Sequence, residues 1–227
     1  MNKGRLLVAV TGVLVVVTAT PAAAQTRGGG GSDWSILGAE TVPTGADVVH
    51  GAFGWPDATF GWTHGMRPGF DVGARMSFLY GIENTTDSQF GLALAMPLRW
   101  ELSRQGNAHL LVHVDPGLRL YTFSDAMFGF QFPFGLNLEF PTRMPLKVGL
   151  GVDFNASLFV TGFGSPQFFF GPLIGPYFEM HVDPRLVVGV DTRFGAIVDA
   201  YSGEGFRSGG TDTRFGFRTQ MLLAYHL

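Results

Sequence analysis

The sequence predicts an all-β fold, an antiparallel up-and-down barrel of about ten long strands. Three observations predict it. Residues 146–161, "LKVGLGVDFNASLFVT", place apolar side chains at every even position, from Leu146 to Val160. The odd positions are polar or small, with Phe159 the exception. Period two is the signature of a strand, because successive side chains leave it on opposite faces. The same comb then recurs along the chain with turn residues between its copies. No helix-period segment separates the combs, which excludes parallel βαβ units and leaves an antiparallel meander.

The elements follow in chain order. Residues 1–24 read as a secretory signal peptide: Lys3 and Arg5 lead an apolar run from Leu6 to Val17, and Ala22-Ala23-Ala24 forms an A-x-A cleavage site. Residues 25–45, with Gly-rich "GGGGS" at 28–32, read as a flexible leader without a binding role, and whether they fold back to plug the barrel is left open. The barrel then spans 46–227. Two short combs, 46–54 and 58–64, flank "WPD"; without them the barrel would have eight strands. Residues 70–82 set Val72, Ala74, Met76, Phe78 and Tyr80 against Asp71, Gly73, Arg75 and Ser77. Residues 89–102 set Phe90 through Leu102 against Gln89, Gly91, Arg99 and Glu101, and 108–120 set Leu110, Val112, Val114, Leu118 and Leu120 against His109, His113, Asp115 and Arg119. In 128–140 four Phe, two Leu and Phe140 alternate with Gly, Gln, Pro, Asn and Glu. Residues 167–182, 186–200 and 213–227 complete the set. The spacers, such as "GMRPG", "SRQGN", "PTRMP" and "DPR", carry turn chemistry.

Which face is wet decides the class. The combs run to about 13–16 residues, whereas strands of soluble proteins usually run to about 5–6; a tilted membrane strand needs about 9–11 for the hydrocarbon alone. The non-apolar face of the eight long combs carries Asp71, Glu101, Asp115, Glu139, Asp153, Glu179, Asp191 and Asp199. Against these acids stand Arg75, Arg99, Arg119, Lys147, Arg193, Arg214 and Arg218. Alternating with glycine, such a face reads as a charged, Gly-lined lumen; burying it unpaired in a soluble core would be very costly. The opposite face carries almost no charge. The apolar teeth are therefore expected to face lipid, and the fold class is a transmembrane β-barrel.

Ten strands with both termini at one end put the turns at 65–69, 103–107, 141–145 and 183–185 on the periplasmic side. Those turns hold Arg67, Arg104, Arg143 and Arg185, while the opposite loops hold Asp57, Glu83, Asp87, Asp125, Glu204 and Asp212 against Arg207. Trp100 and Tyr225 at the inner rim and Tyr80 at the outer rim suit membrane-facing aromatic girdles. Removing residues 1–24 takes away two bases and no acid, leaving 13 bases against 18 acids, which argues against a nucleic-acid partner. Cysteine is absent, so no disulfide staples the fold.

Over residues 46–227 the chain resembles the small bacterial outer-membrane β-barrel proteins. The signal peptide, the meander and the last strand, "FGFRTQMLLAYHL", carry the resemblance. That strand ends in Tyr225 and Leu227, which looks like the signal such proteins present to the barrel-assembly machinery; Leu227 stands where the family usually has Phe. The resemblance implies the outer membrane of a Gram-negative-type cell envelope, with membrane lipids and lipopolysaccharide as partners.

Chemistry in the lumen is not expected. Ser157 faces inward, but its neighbouring combs offer only His181, near the opposite rim, so no Ser/His triad forms. His109 and His113, four apart on a strand, stand about 13 Å apart, too far for one metal ion. No catalytic residue, metal or cofactor is therefore assigned, and an outer-membrane hydrolase ranks third among the readings. Acidic outer loops could bind divalent cations, but a solvated rim is the simpler account. Two readings lead. In one, Asp71, Arg75, Arg99, Glu101, His113, Asp115, Arg119, Asp153, Asp191, Arg193, Asp199, Arg214 and Arg218 pair across the lumen and close it, leaving a structural or barely conducting barrel. In the other, the lumen is a narrow, porin-like channel for small polar solutes. A barrel this narrow is nearly filled by side chains, which favours the first.

Overall fold

The computed structural model describes residues 34–227 apart from 83–89, 106–107, 123–125, 141, 143–144, 162–165 and 202–209. The expected signal peptide, the GGGGS stretch and most of the outer loops lie outside the described residues. Among those described there is no helix. The strands are β1 (Asp47–Trp55), β2 (Asp57–Arg67), β3 (Phe70–Leu79), β4 (Gly91–Ala95), β5 (Leu98–Gln105), β6 (Ala108–Val114) and β7 (Gly117–Tyr121). Then come β8 (Met127–Gln131), β9 (Phe134–Phe140), β10 (Leu146–Thr161), β11 (Pro166–His181), β12 (Leu186–Tyr201) and β13 (Gly210–His226).

The pairs β4/β5, β6/β7 and β8/β9 are halves of single staves, so these strands build ten staves, each antiparallel to its neighbours. The last stave returns to the first: β13 pairs with β1 from Val48↔His226 to Trp55↔Thr219. The sheet is therefore a closed, ten-stave barrel without an edge. Closure satisfies the ladder from the first strand to the last, which an open sheet cannot do. Both described ends of the chain, with the β2–β3, β5–β6, β9–β10 and β11–β12 hairpins, lie at one end of the barrel, called here the terminal end; the other hairpins form the far end.

The three interrupted staves have one cause. Each break falls at a proline, Pro97, Pro116 or Pro133, and the register places the three side by side on consecutive staves. Gly73 donates to the Pro97 carbonyl at 2.8 Å, Met96 to Pro116 at 2.9 Å and Asp115 to Pro133 at 2.8 Å. Proline has no N–H to return these bonds, so the ladder loses one bond at each crossing along an oblique seam. The sequence pattern carries straight through these positions because proline interrupts hydrogen bonding without changing side-chain alternation. A thinned ladder opens more readily. In hydrogen–deuterium exchange the amides of Gly73, Met96 and Asp115 should therefore exchange before those of Val190 and Thr192 in the unbroken β12–β13 ladder. Equal protection would show that the seam costs nothing.

Side-chain alternation follows the sequence. On β10, Leu150, Leu158 and Val160 are exposed on the outside, whereas Asp153, Asn155, Ser157 and Phe159 are buried inside. On β11, Phe168, Phe170, Ile174, Phe178 and Met180 are outside, and Leu173, Tyr177, Glu179 and His181 inside. The core of this protein is thus its lumen, and its outer wall is apolar.

Candidate functional site

The lumen holds three layers. The first settles what the sequence left open: the second half of the leader lies inside the barrel. Trp34, Ser35, Ala39, Glu40, Thr41 and Val42 are all buried. Residues 34–44 are therefore a plug at the terminal end and not a free tether. Trp34, Val42, Val48, Val187, Leu222 and Ala224 form one apolar cluster, against which Ile36 and Leu37 pack. Trp34 stands edge-on to His181, with ring centroids 5.4 Å apart, and its Nε1 donates to the Pro184 carbonyl at 3.3 Å.

The plug has little regular structure, so its backbone must find partners in the wall. Charged wall residues supply them. Glu179 accepts from the Ser35 hydroxyl and the Leu37 N–H, both at 2.8 Å, and from the Ile36 N–H at 3.2 Å. Glu139 accepts from the Ala39 N–H at 2.9 Å, and Asp71 from the Val42 N–H at 2.9 Å. In the other direction Arg99 donates to the carbonyls of Ser35 and Ile36, Asn137 to that of Leu37, and Lys147 to that of Trp34. Two glycines permit the close approach. A Cβ on Gly38 would overlap the Glu139 carboxylate, and one on Gly65 would overlap the Pro43 carbonyl. The segment then joins the wall through Gly45, whose N–H donates to Gly65 at 2.7 Å.

Glu40 anchors the plug by charge. It pairs with Lys147, with Arg104 at 2.9 Å and with His109 at 3.6 Å. Burial acts to raise the Glu40 carboxyl, but Lys147, with Arg104 and His109, outweighs it and holds the pKa below the ordinary value. A depressed folded pKa means stability that is present above the unfolded value of about 4.3 and lost as pH falls through the folded one. Proteolytic cleavage within 34–44 should accordingly rise under acid, and Glu40→Gln should remove that acid step. An acid response unchanged by the substitution would place the sensitive group elsewhere.

Glu40, His109 and Glu139 each bring one ligand atom to within 4.8 Å of the others. No sequence spacing signals this, because Glu40 comes from the leader and the other two from neighbouring staves. Lys147 and Arg104 already set two cationic groups beside these two carboxylates, so the cluster is charge-balanced as it stands. His109 and His113 diverge: His113 Nε2 turns to Asp153 at 3.0 Å.

The second layer is an ion-pair belt across the waist. Arg75 meets Asp115 at 3.0 Å, and His113 lies between Asp115 and Asp153. Asp153 also meets Arg193 and, at 2.7 Å, Arg218. Both arginines continue to Asp191, at 2.9 Å and 2.7 Å. Arg193 further donates to Asn137, and Arg119 to Gln131. Nearer the terminal end, against the plug, Arg99 grips Asp71 with Nε at 2.8 Å and Nη2 at 2.5 Å. Three expected members stand apart from this belt. Arg214 is half-exposed and pairs with Asp212 at 2.8 Å, beyond the lumen proper, where β13 overhangs the far end. Glu101 turns to Arg104 at 3.4 Å beside a bulge in the β5–β6 register. Asp199 lies near the same rim as Arg214, partly buried.

The third layer, toward the far end, is apolar: Leu79, Ile82, Ala93, Tyr121 and Phe159 are buried together, with Met127 and Phe169 against them.

Outside, aromatic side chains with polar neighbours collect at the terminal end. Phe70 stacks on Trp100 at 5.2 Å with Arg67 over the Phe70 ring, and the Trp62 indole donates to Asp47 at 2.9 Å. Tyr225 is exposed on the same surface. At the far end the Tyr80 hydroxyl donates to the carbonyls of Gly54 and Asp57.

No protein-family model matches this chain, and no curated protein matches it in sequence.

Proposed function

We propose that the chain is an outer-membrane β-barrel whose lumen is closed by its own N-terminal segment and its paired charges, and that it serves the cell envelope as a structural, non-conducting barrel. The outer wall carries this reading. Phe53, Phe130, Phe215 and Met221 are each 60 % exposed or more, and similar side chains surround them on every stave. In water each such residue would forgo about 1.5–3 kcal/mol of burial. In hydrocarbon nothing is forgone, and a closed ladder is what a lipid-facing sheet requires. Aromatic rings with polar partners at the terminal end, Trp62, Phe70 and Trp100, suit a membrane–water interface. Bilayer lipids and lipopolysaccharide would then contact the wall, and the C-terminal strand ending in Leu227 would present the chain to the assembly machinery after cleavage near Ala24.

Closure of the lumen is supported by the plug and by the belt, in which acids and arginines are each other's partners instead of lining an open path. The test is reconstitution. The refolded chain should float with phospholipid vesicles, and planar bilayers containing it should show no steady openings. A chain that stays in the aqueous layer contradicts the membrane reading. Steady, ion-selective openings from the unaltered protein contradict the closed lumen and support the small-solute channel.

A further inference from the structure

We propose that the lumen is sealed twice, the second seal being an apolar septum near the far end that works independently of the N-terminal plug. It deepens the closed-barrel reading by naming the side chains that bar the path after the plug is gone. The observation is a local inversion of the lumen's chemistry. Beyond the apolar cluster that seats the plug, the waist is lined by the ion-pair belt, yet toward the far end the same inward face carries Leu79, Ala93, Tyr121, Phe159 and Phe169.

These side chains cannot be serving the lipid, because they point away from it. Leu79 is 3 % exposed, Tyr121 0 % and Phe159 2 %, so they exclude solvent from one another. They form an arc contributed by β3, β4, β7, β8, β10 and β11, six of the ten staves. Phe159 is the keystone. Its ring lies 5.8 Å from Tyr121 and 5.3 Å from Phe169, at 51° and 83°, and it overlies Gly129, where a Cβ would strike the ring. Asp57, hydrogen-bonded to Gln220, stands opposite the arc. An apolar arc packed this tightly leaves no wetted path among its own side chains, and an apolar constriction bars ions by staying dry.

The plug and the septum have separate partners. The hydrogen bonds of residues 34–44 go to Asp71, Arg99, Asn137, Glu139, Lys147 and Glu179, and the ion-pair belt stands between those residues and Phe159. Loosening one seal should therefore leave the other closed.

The chain has no cysteine, so single reporters can be introduced cleanly. Ser157→Cys sits beside the septum and Thr63→Cys near the plug, both at buried lumen positions; Val182→Cys on the exposed surface is the control. A small charged thiol reagent is applied to the full chain. In an otherwise unaltered background both lumen reporters should react more than about tenfold slower than the control, as protected sites do. Trp34→Ala with Glu40→Gln should expose Thr63→Cys and leave Ser157→Cys protected, since the belt at Asp153 still stands on its terminal side and the septum on its far side. Phe159→Ala with Tyr121→Ala should do the reverse; if that pair fails to fold, Phe159→Ala alone serves. Rapid labelling of Ser157→Cys in the unaltered background, or its continued protection when Phe159 and Tyr121 are replaced, overturns the septum. Vesicle flotation of the same variants is scored separately. A chain that shows the expected labelling without floating refutes the membrane reading and leaves the septum standing. A chain that floats while both reporters open together refutes the septum alone.

Discussion

Arg99→Ala should lower the unfolding free energy by about 3–5 kcal/mol and expose residues 34–44 to protease, the largest effect expected of any single substitution. Asp71, which it would abandon, is 0 % exposed. Arg99 Nε and Nη2 hold both oxygens of that carboxylate, and the remaining donors hold the carbonyls of Ser35 and Ile36. One side chain therefore balances a buried charge and seats the plug. The cost comes from the orphaned carboxylate more than from the lost attraction, so it should be largely recovered in a double variant, Arg99→Met with Asp71→Leu. The two effects separate by readout. Denaturant unfolding of that double variant should return toward the parent, while its protease sensitivity stays high, because the carbonyls of Ser35 and Ile36 still lack their donor. A single variant as stable as the parent would mean that Asp71 is solvated in a way its burial denies.

Arg193→Ala should have the second largest effect, toward the lower end of the same range, about 3 kcal/mol. Arg193 is 3 % exposed and lies between Asp153 and Asp191, both of which would then share Arg218. Two buried acids would face one arginine, with the His113 ring beside Asp153 at 3.0 Å. Arg193→Lys keeps the charge but not the fork that reaches Asp153, Asp191 and Asn137 at once, so it should fall between alanine and the parent. Equal unfolding midpoints for lysine and arginine would show that charge alone matters here.

The barrel was legible because alternation is a local property. On β10 every position from Leu146 to Thr161 except Phe159 states its face by its own chemistry, and a one-residue slip would turn all of them over. Strand number followed from counting such segments. The proline seam was not legible: Pro97, Pro116 and Pro133 each look like an ordinary comb position, and only the register aligns them. The charges of the lumen could be assigned to a face but not to partners. Nothing in the spacing of Arg218 and Asp153, 65 residues apart, states that they meet. The plug was left open by the sequence for a different reason. The glycines at 28–31 suggested a tether, and that character was extended to "DWSILGAETVPTG", whose Trp34, Ile36, Leu37 and Val42 are too apolar to stay in water. Mixed apolar and small residues without alternation are what a segment packed inside a barrel needs, since it buries all its sides.

The central claim, that the apolar teeth face lipid, is tested most directly by fluorophores attached through single cysteines at the even positions of β10, Val148, Leu150, Val152, Phe154, Ala156 and Leu158. The refolded chain in vesicles is titrated with a nitroxide quencher dissolved in the acyl chains and with aqueous iodide. The account predicts quenching by the nitroxide at all six positions, strongest in the middle of the strand, and none by iodide between Leu150 and Ala156. Iodide quenching along the whole strand with no effect of the nitroxide would mean that the apolar face is wet, and the membrane reading would fall.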